Sequence, residues 1–213
     1  MNILILGPQG SGKGTQARLI AEKLNLFYLE SGALLREIAK IDPYVNETIN
    51  TKGELLPDEE TVKIIKNHLD KNVPTGQNIV LDGFPRSLPQ YELFKSYLTS
   101  KGARLDKAVF LNISDDEAVK RLSARRNCSK CGAVYNFITN PPKAPEACDK
   151  CGGSLIQRPD DKPEIIQERL KQYRVTTEPL VDKLEAEGAL IKINGEQPIQ
   201  VILGQILEKL NDI

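Results

Sequence analysis

Short apolar runs alternate along the chain with longer stretches that are apolar on one side only. Ile3 to Leu6 is a buried-strand candidate that passes through a glycine-rich turn into a helix-compatible run, Gln16 to Leu24. Leu26 to Leu29 is a second short apolar run, ending at Glu30-Ser31-Gly32, where Ser31 is suited to cap a helix over Ala33 to Lys40. Pro57 opens another helix, with Asp58, Glu59 and Glu60 in its first turn. Ile79 to Asp82 and Lys107 to Ile113 read as further strands. Each is followed by a capping-box pattern, Ser87-Leu88-Pro89-Gln90 and Ser114-Asp115-Asp116-Glu117, and the second predicts a helix over Ala118 to Arg126 with Arg121 and Arg125 on one face. A helix restarted at Asp160-Asp161-Lys162-Pro163 is expected to reach about Lys183. Ala189 to Ile193 then forms a last strand before a terminal helix, Ile199 to Leu210. The lone histidine, His68, falls in a polar helical stretch and reads as a surface residue.

The interval from Asn127 to Asp161 breaks this alternation. Cys128 and Cys131 form one CxxC pair, Cys148 and Cys151 another, and a glycine follows each pair. That spacing predicts a tetrahedral zinc site built from all four cysteines, with short strands at Ala133 to Ile138 and Leu155 to Gln157. Four thiolates fill the coordination sphere, so the expected zinc is structural.

The turn after the first strand, Gly7-Pro8-Gln9-Gly10-Ser11-Gly12-Lys13-Gly14-Thr15, has the composition of a phosphate-binding loop. Its glycines let backbone N–H groups turn inward towards an anion at a helix N-terminus, and Lys13 adds a mobile positive charge. Gly14 stands where most such loops carry Ser or Thr, and the hydroxyl is displaced to Thr15. Asp82, at a strand end, is a candidate magnesium partner beside the phosphates, with Arg86 emerging close by. Arg36 lies one helical turn beyond Ser31. Six of the ten arginines (Arg121, Arg125, Arg126, Arg158, Arg169, Arg174) flank the cysteine segment, as a cationic cover closing over a triphosphate would require.

Composition narrows the function classes. Lys+Arg and Asp+Glu are equal at 29 each, and aromatic residues make up 5%, which speaks against a broad nucleic-acid or membrane surface. No apolar run approaches the ~20 residues that span a bilayer, and paired cysteines suit a reducing compartment, so a cytoplasmic protein is expected. The 213 residues allow one sizeable core with a small inserted module.

Taken together, GPQGSGKGTQ at 7–16, Ser31-Gly32 with Arg36, Asp82-Gly83-Phe84-Pro85-Arg86, the Arg121 to Arg126 segment and Arg158-Pro159-Asp160-Asp161 resemble the adenylate kinases with a long, zinc-bearing lid. The resemblance covers nearly the whole chain. It implies an α/β fold: a five-stranded parallel P-loop NTPase core with helices on both faces (1–29, 57–124 and 163–213), a helical insert binding the nucleoside monophosphate (30–56) and a zinc-ribbon-like lid (125–162). It implies reversible phosphoryl transfer from MgATP to AMP by an enzyme expected to be a monomer. ATP is assigned to Gly10, Ser11, Gly12, Lys13, Gly14, Thr15, Arg125, Val134, Tyr135 and the backbone at Gln197. AMP is assigned to Ser31, Arg36, Glu54, Leu55, Leu56, Gly83, Phe84, Pro85, Arg86 and Gln90, while Arg158 and Arg169 reach across the transferred group. Lys13, Arg86, Arg125, Arg158 and Arg169 are the implied catalytic residues. Ala33 departs from the many relatives that carry Asp there near the hydrated magnesium, which leaves Asp82 as the indirect metal partner. The alternatives are a kinase for another monophosphate and a zinc-ribbon nucleic-acid-binding protein with a regulatory nucleotide site.

Overall fold

The computed structural model describes residues 1–51 and 55–211. Its centre is a five-stranded sheet of β1 (Asn2–Leu6), β2 (Phe27–Glu30), β3 (Ile79–Asp82), β4 (Lys107–Asn112) and β8 (Leu190–Asn194). The order across the sheet is β2-β3-β1-β4-β8, and all pairings are parallel. Because both faces are covered, the strands are near-continuous apolar runs, as the sequence shows. One face buries Leu4, Leu29, Leu81 and Ile79 against Ile65, Leu69, Phe94 and Leu184. The other buries Ile3, Ile5, Val80 and Val109 against Ile20, Leu203 and Ile206.

Strand β1 sits between β3 and β4, so the chain leaving β1 turns to one side of the sheet and later crosses to the other. A crevice opens at the carboxyl end of β1, where that reversal occurs, and ligand sites of open parallel sheets form there. The glycine-rich turn and α1 (Lys13–Leu24) occupy it. The remaining helices are α2 (Ser31–Ala39), α3 (Pro43–Asn46), α4 (Asp58–Asn72), α5 (Leu88–Ser100), α6 (Asp115–Ser123), α7 (Pro163–Thr176), α8 (Glu178–Ala186) and α9 (Ile199–Asn211), among the described residues. A second, antiparallel sheet is made by β5 (Arg125–Cys128), β6 (Val134–Asn136) and β7 (Leu155–Ile156) in the order β6-β5-β7.

Several local expectations change. The helix predicted to run to Lys183 is two helices broken at Thr177, because Pro179 has no N–H to continue the ladder and instead sits in the first turn of α8. Buried Thr177 donates its hydroxyl to the carbonyl of Arg86 at 2.8 Å, so the break ties α8 to the loop after β3. Arg125 and Arg126 are not helical: α6 stops at Ser123 and Arg125 begins β5, which separates it from Arg121. Ser31 does not cap α2 from outside. It is the first helical residue, and its hydroxyl donates to Gly83 O at 2.6 Å. His68 is half-buried, its ring 6.0 Å from that of Phe27.

The two capping boxes form only in their serine half. Ser114 Oγ accepts from Glu117 N, but the N–H of Ser114 is taken by Glu196 while Glu117 pairs with Arg121 at 2.7 Å. Arg121, buried, also donates to Gly195 O and so joins α6 to the turn after β8. Tertiary partners thus outcompete the local cap.

Phe94 is 2% exposed and makes an edge-to-face contact with Phe84 at 5.1 Å. Phe94→Ala is expected to destabilise the protein by about 3–5 kcal/mol, read by urea denaturation, because the sheet and α4 leave the cavity little room to collapse.

Candidate active site

The site begins with the turn Gly7 to Gly12. At Gly7 the backbone φ is +144° and a Cβ would lie 2.5 Å from Leu111 O, so only glycine lets the loop pass β4 this closely. Lys13, the first residue of α1, folds its ammonium back over the loop and donates to Gly7 O at 2.6 Å and Pro8 O at 2.8 Å. Its pKa is pushed down to about 8, chiefly by desolvation. Asp82 offsets part of that shift, while Arg86, Arg125 and Arg169 add to it by repulsion. Asp82 is buried at the end of β3, and desolvation raises its pKa. Gly14 is explained by the same carboxylate: a Cβ there would lie 3.0 Å from Asp82 Oδ2. Thr15 is exposed on the first turn of α1.

Beside β3, Arg36 and Arg86 share a corner whose floor is glycine. A Cβ on Gly32 would lie 3.1 Å from Arg36 Nη1 and 4.0 Å from Arg86 Nη2; one on Gly83 would lie 3.2 Å from Arg86 Nη2. Arg86 Nε donates to Gly83 O at 2.7 Å, and Arg36 Nη2 meets Glu30 Oε1 at 3.2 Å. On the opposite side two carboxylates hold three arginines. Asp161, fully buried, takes a two-pronged contact from Arg125 at 2.7 and 2.5 Å. Asp160 meets Arg158 at 3.2 Å and Arg169 at 3.0 Å. Arg86, Arg158 and Arg169 are all held below the ordinary guanidinium range, first by desolvation; Arg36 and Arg158 repel Arg86, and Arg125 repels Arg158 and Arg169. Lys13 and these five arginines thus face Glu30, Asp82, Asp160 and Asp161, so cations still outnumber acids in one crevice. Such an arrangement favours a bound polyanion.

Other predicted residues are placed less directly. Leu56 is buried in a small cluster with Ala39 and Val45, whereas Leu55 is half exposed at 52%. Phe84 and Gln90 are buried, and the Gln90 amide is already engaged, accepting from Arg86 N and donating to Asp58. Phe84 could meet a ligand through its backbone alone, since its ring is in the core. The Phe84–Pro85 peptide is cis. The Tyr135 hydroxyl points to the cysteines, 3.4 Å from Cys148 Sγ, and accepts from Asp149 N; Val134 beside it is exposed. The Gln197 side chain accepts from Gln205. Glu54 lies outside the described residues.

The four cysteine sulfurs lie within 4.8 Å of one another, with Cys128 and Cys151 3.4 Å apart and Cys131 and Cys148 3.6 Å apart. Sulfurs around a tetrahedral zinc at ~2.3 Å are separated by about 3.8 Å, so the donor set and its spacing fit that ion. Glu30, Asp58 and Tyr28 escaped the sequence reading. Glu30 ends β2 and Asp58 begins α4, so both look like ordinary boundary acids, and only the fold turns them towards Arg36 and Gln90.

The family model described as adenylate kinase matches residues 5–189. The chain belongs to the adenylate kinase family. It is 42% identical to an adenylate kinase of Methanothrix thermoacetophila, over 99% of both chains. It is also 42% identical to one from Pyrococcus horikoshii, over 100% of this chain and 97% of the relative, and 37% identical to one from Thermosipho africanus, over 97% and 98%. In an adenylate kinase the depressed Lys13 has a pH consequence. Were its ammonium to meet the ATP phosphates and regain at least the ordinary lysine pKa of 10.5, Lys13 would take up a proton on ATP binding between about pH 8 and 10.5. Calorimetry in buffers of different ionisation enthalpy is expected to show that uptake, together with kcat/KM for ATP falling as pH rises above about 8. The unliganded fold gains stability across the same range, because there the unfolded chain binds the additional proton.

Proposed function

We propose that this chain transfers the terminal phosphoryl group of MgATP reversibly to AMP, giving two molecules of ADP. The observation that carries the reading is the convergence of Lys13 and the five arginines on the crevice beyond β1 and β3. The loop from Gly10 to Thr15 and Lys13 take the ATP phosphates, while Arg36 and Arg86 take the acceptor phosphate over the glycine floor. Arg125, Arg158 and Arg169 neutralise the group in transit, held in place by Asp160 and Asp161. The acceptor is a phosphate with a second pKa near ~6, so it is already anionic and needs no general base; positioning and charge stabilisation do the chemistry. Segments 30–56 and 125–162 act as the acceptor insert and the lid, and enclosure by the lid keeps water from competing with AMP.

Magnesium bound with ATP would neutralise charge developing on the phosphate oxygens. Asp82, the acid at the end of β3, is the residue suited to hold its hydration shell. Zinc on Cys128, Cys131, Cys148 and Cys151 is structural, since four thiolates leave no open position and the segment's own core is only Ala133, Tyr135 and Leu155 around two of the cysteines. The enzyme acts as a cytoplasmic monomer without nucleic acid. No helix among the described residues is long and apolar enough to cross a membrane.

Three measurements check this reading. A coupled assay of each nucleoside monophosphate with ATP should give rapid ADP formation with AMP; equal turnover with GMP or UMP would instead favour a broader monophosphate kinase. Arg86→Ala should lower kcat by about 10²–10³ with the unfolding temperature nearly unchanged. Stripping zinc should lower the unfolding temperature of the cysteine segment, and the zinc-loaded enzyme should stay inactive until Mg²⁺ is added.

A further inference from the structure

Residues flanking the strand ends, outside the phosphate loop and the arginines, form a connected polar network. Glu30 and Asp82 end neighbouring parallel strands and are register partners. The Tyr28 hydroxyl lies between their carboxylates, 3.1 Å from Asp82 Oδ2 and 3.3 Å from Glu30 Oε2. That hydroxyl has one proton, so it donates to one acid at a time. Glu30 is the better satisfied of the two. Arg18 donates to its Oε2 at 2.8 Å and Arg36 reaches Oε1 at 3.2 Å, and these partners keep its carboxyl below the usual range. Among the described residues Tyr28 is the side chain that donates a hydrogen bond to Asp82, so this carboxylate depends on the phenol more than Glu30 does. The Arg18 guanidinium also lies over the Tyr28 ring at 5.5 Å, which fixes the ring plane. Gly14 completes the arrangement: a Cβ there would lie 3.0 Å from Asp82 Oδ2 and 3.8 Å from Tyr28 Oη, so the absent side chain makes room for the contact.

We propose that Tyr28 is a positioning residue, which orients the Asp82 carboxylate towards the hydrated magnesium by holding Oδ2, with Glu30 and Arg18 fixing the phenol in turn. The inference rests on the assignment of Asp82 to the metal. Ala33 supplies no second acid on α2, so the orientation of this one carboxylate matters more. Tyr28 reaches the acceptor-side Arg36 through Glu30, whose Oε2 it contacts and whose Oε1 holds that arginine. Its hydroxyl meets Asp82 directly, so its removal acts first on the metal.

The test uses Tyr28→Phe, Asp82→Asn and the double variant. Two quantities are read: the Mg²⁺ concentration for half-maximal activity, and the Kd of Mn²⁺ for the complex with ADP, followed by the electron paramagnetic resonance signal of free Mn²⁺. Tyr28→Phe is expected to weaken Mn²⁺ binding on the order of tenfold, with a matching rise in the Mg²⁺ requirement and KM for AMP within about twofold. In the Asp82→Asn background the same change should have no further effect on the metal, because Tyr28 acts through Asp82. If Asp82→Asn itself leaves metal binding unchanged, the assignment of Asp82 is wrong. If Asp82→Asn weakens it while Tyr28→Phe does not, or if the two effects simply add, Asp82 stands and the role of Tyr28 is overturned. A Tyr28→Phe protein that melts earlier yet binds Mn²⁺ normally would make Tyr28 structural and likewise overturn the proposal.

Discussion

Repulsion among clustered cations is the constraint on which the rest of the structure depends. Lys13, Arg36, Arg86, Arg125, Arg158 and Arg169 are gathered at one end of the sheet, and Lys13, Arg86, Arg158 and Arg169 sit below their ordinary proton affinity through desolvation and mutual repulsion. Left alone, such charges would spread apart or recruit acids until neutral. The fold supplies fewer carboxylates than cations: Asp161 clamps Arg125, Asp160 is shared by Arg158 and Arg169, Glu30 holds Arg36, and Asp82 faces Lys13. The remaining excess is of the kind that a nucleotide polyphosphate relieves.

The charged groups of the site bear on where glycine is found around it. Gly14 gives way to Asp82, while Gly32 and Gly83 give way to the guanidinium groups of Arg36 and Arg86. The interruption set by Pro179 also serves the site, because Thr177 at the break donates to the carbonyl of Arg86. Secondary structure here is shaped by the charges it must carry as much as by its own propensities.

Most of the architecture was legible in the chain. Runs such as Ile3 to Leu6 are apolar throughout because both faces of a parallel sheet are covered, and the two CxxC pairs fold into one sulfur cluster as their spacing requires. What was not legible depends on contacts between distant elements. Glu117 looked like the second half of a capping box, but Arg121 claims it and Glu196, 82 residues away, replaces it at Ser114. Arg125 looked helical from its distance to Arg121, yet Asp161 and the pairing of β5 with β6 draw it into a strand. Tyr28 gave no sign at all, since its partner in the site, Asp82, is brought near only by strand register.

The most direct test of the account replaces the cation that the crevice strains most visibly. Lys13→Met removes a desolvated ammonium that three arginines repel, at the expense of its hydrogen bonds to Gly7 and Pro8. Turnover and thermal unfolding of this variant, with and without ATP, separate catalysis from folding. The account predicts a loss in kcat of about 10²–10³, an unfolding temperature without nucleotide close to that of the parent, and a much smaller stabilisation by ATP. Near-parental turnover in a well-folded Lys13→Met protein would contradict it.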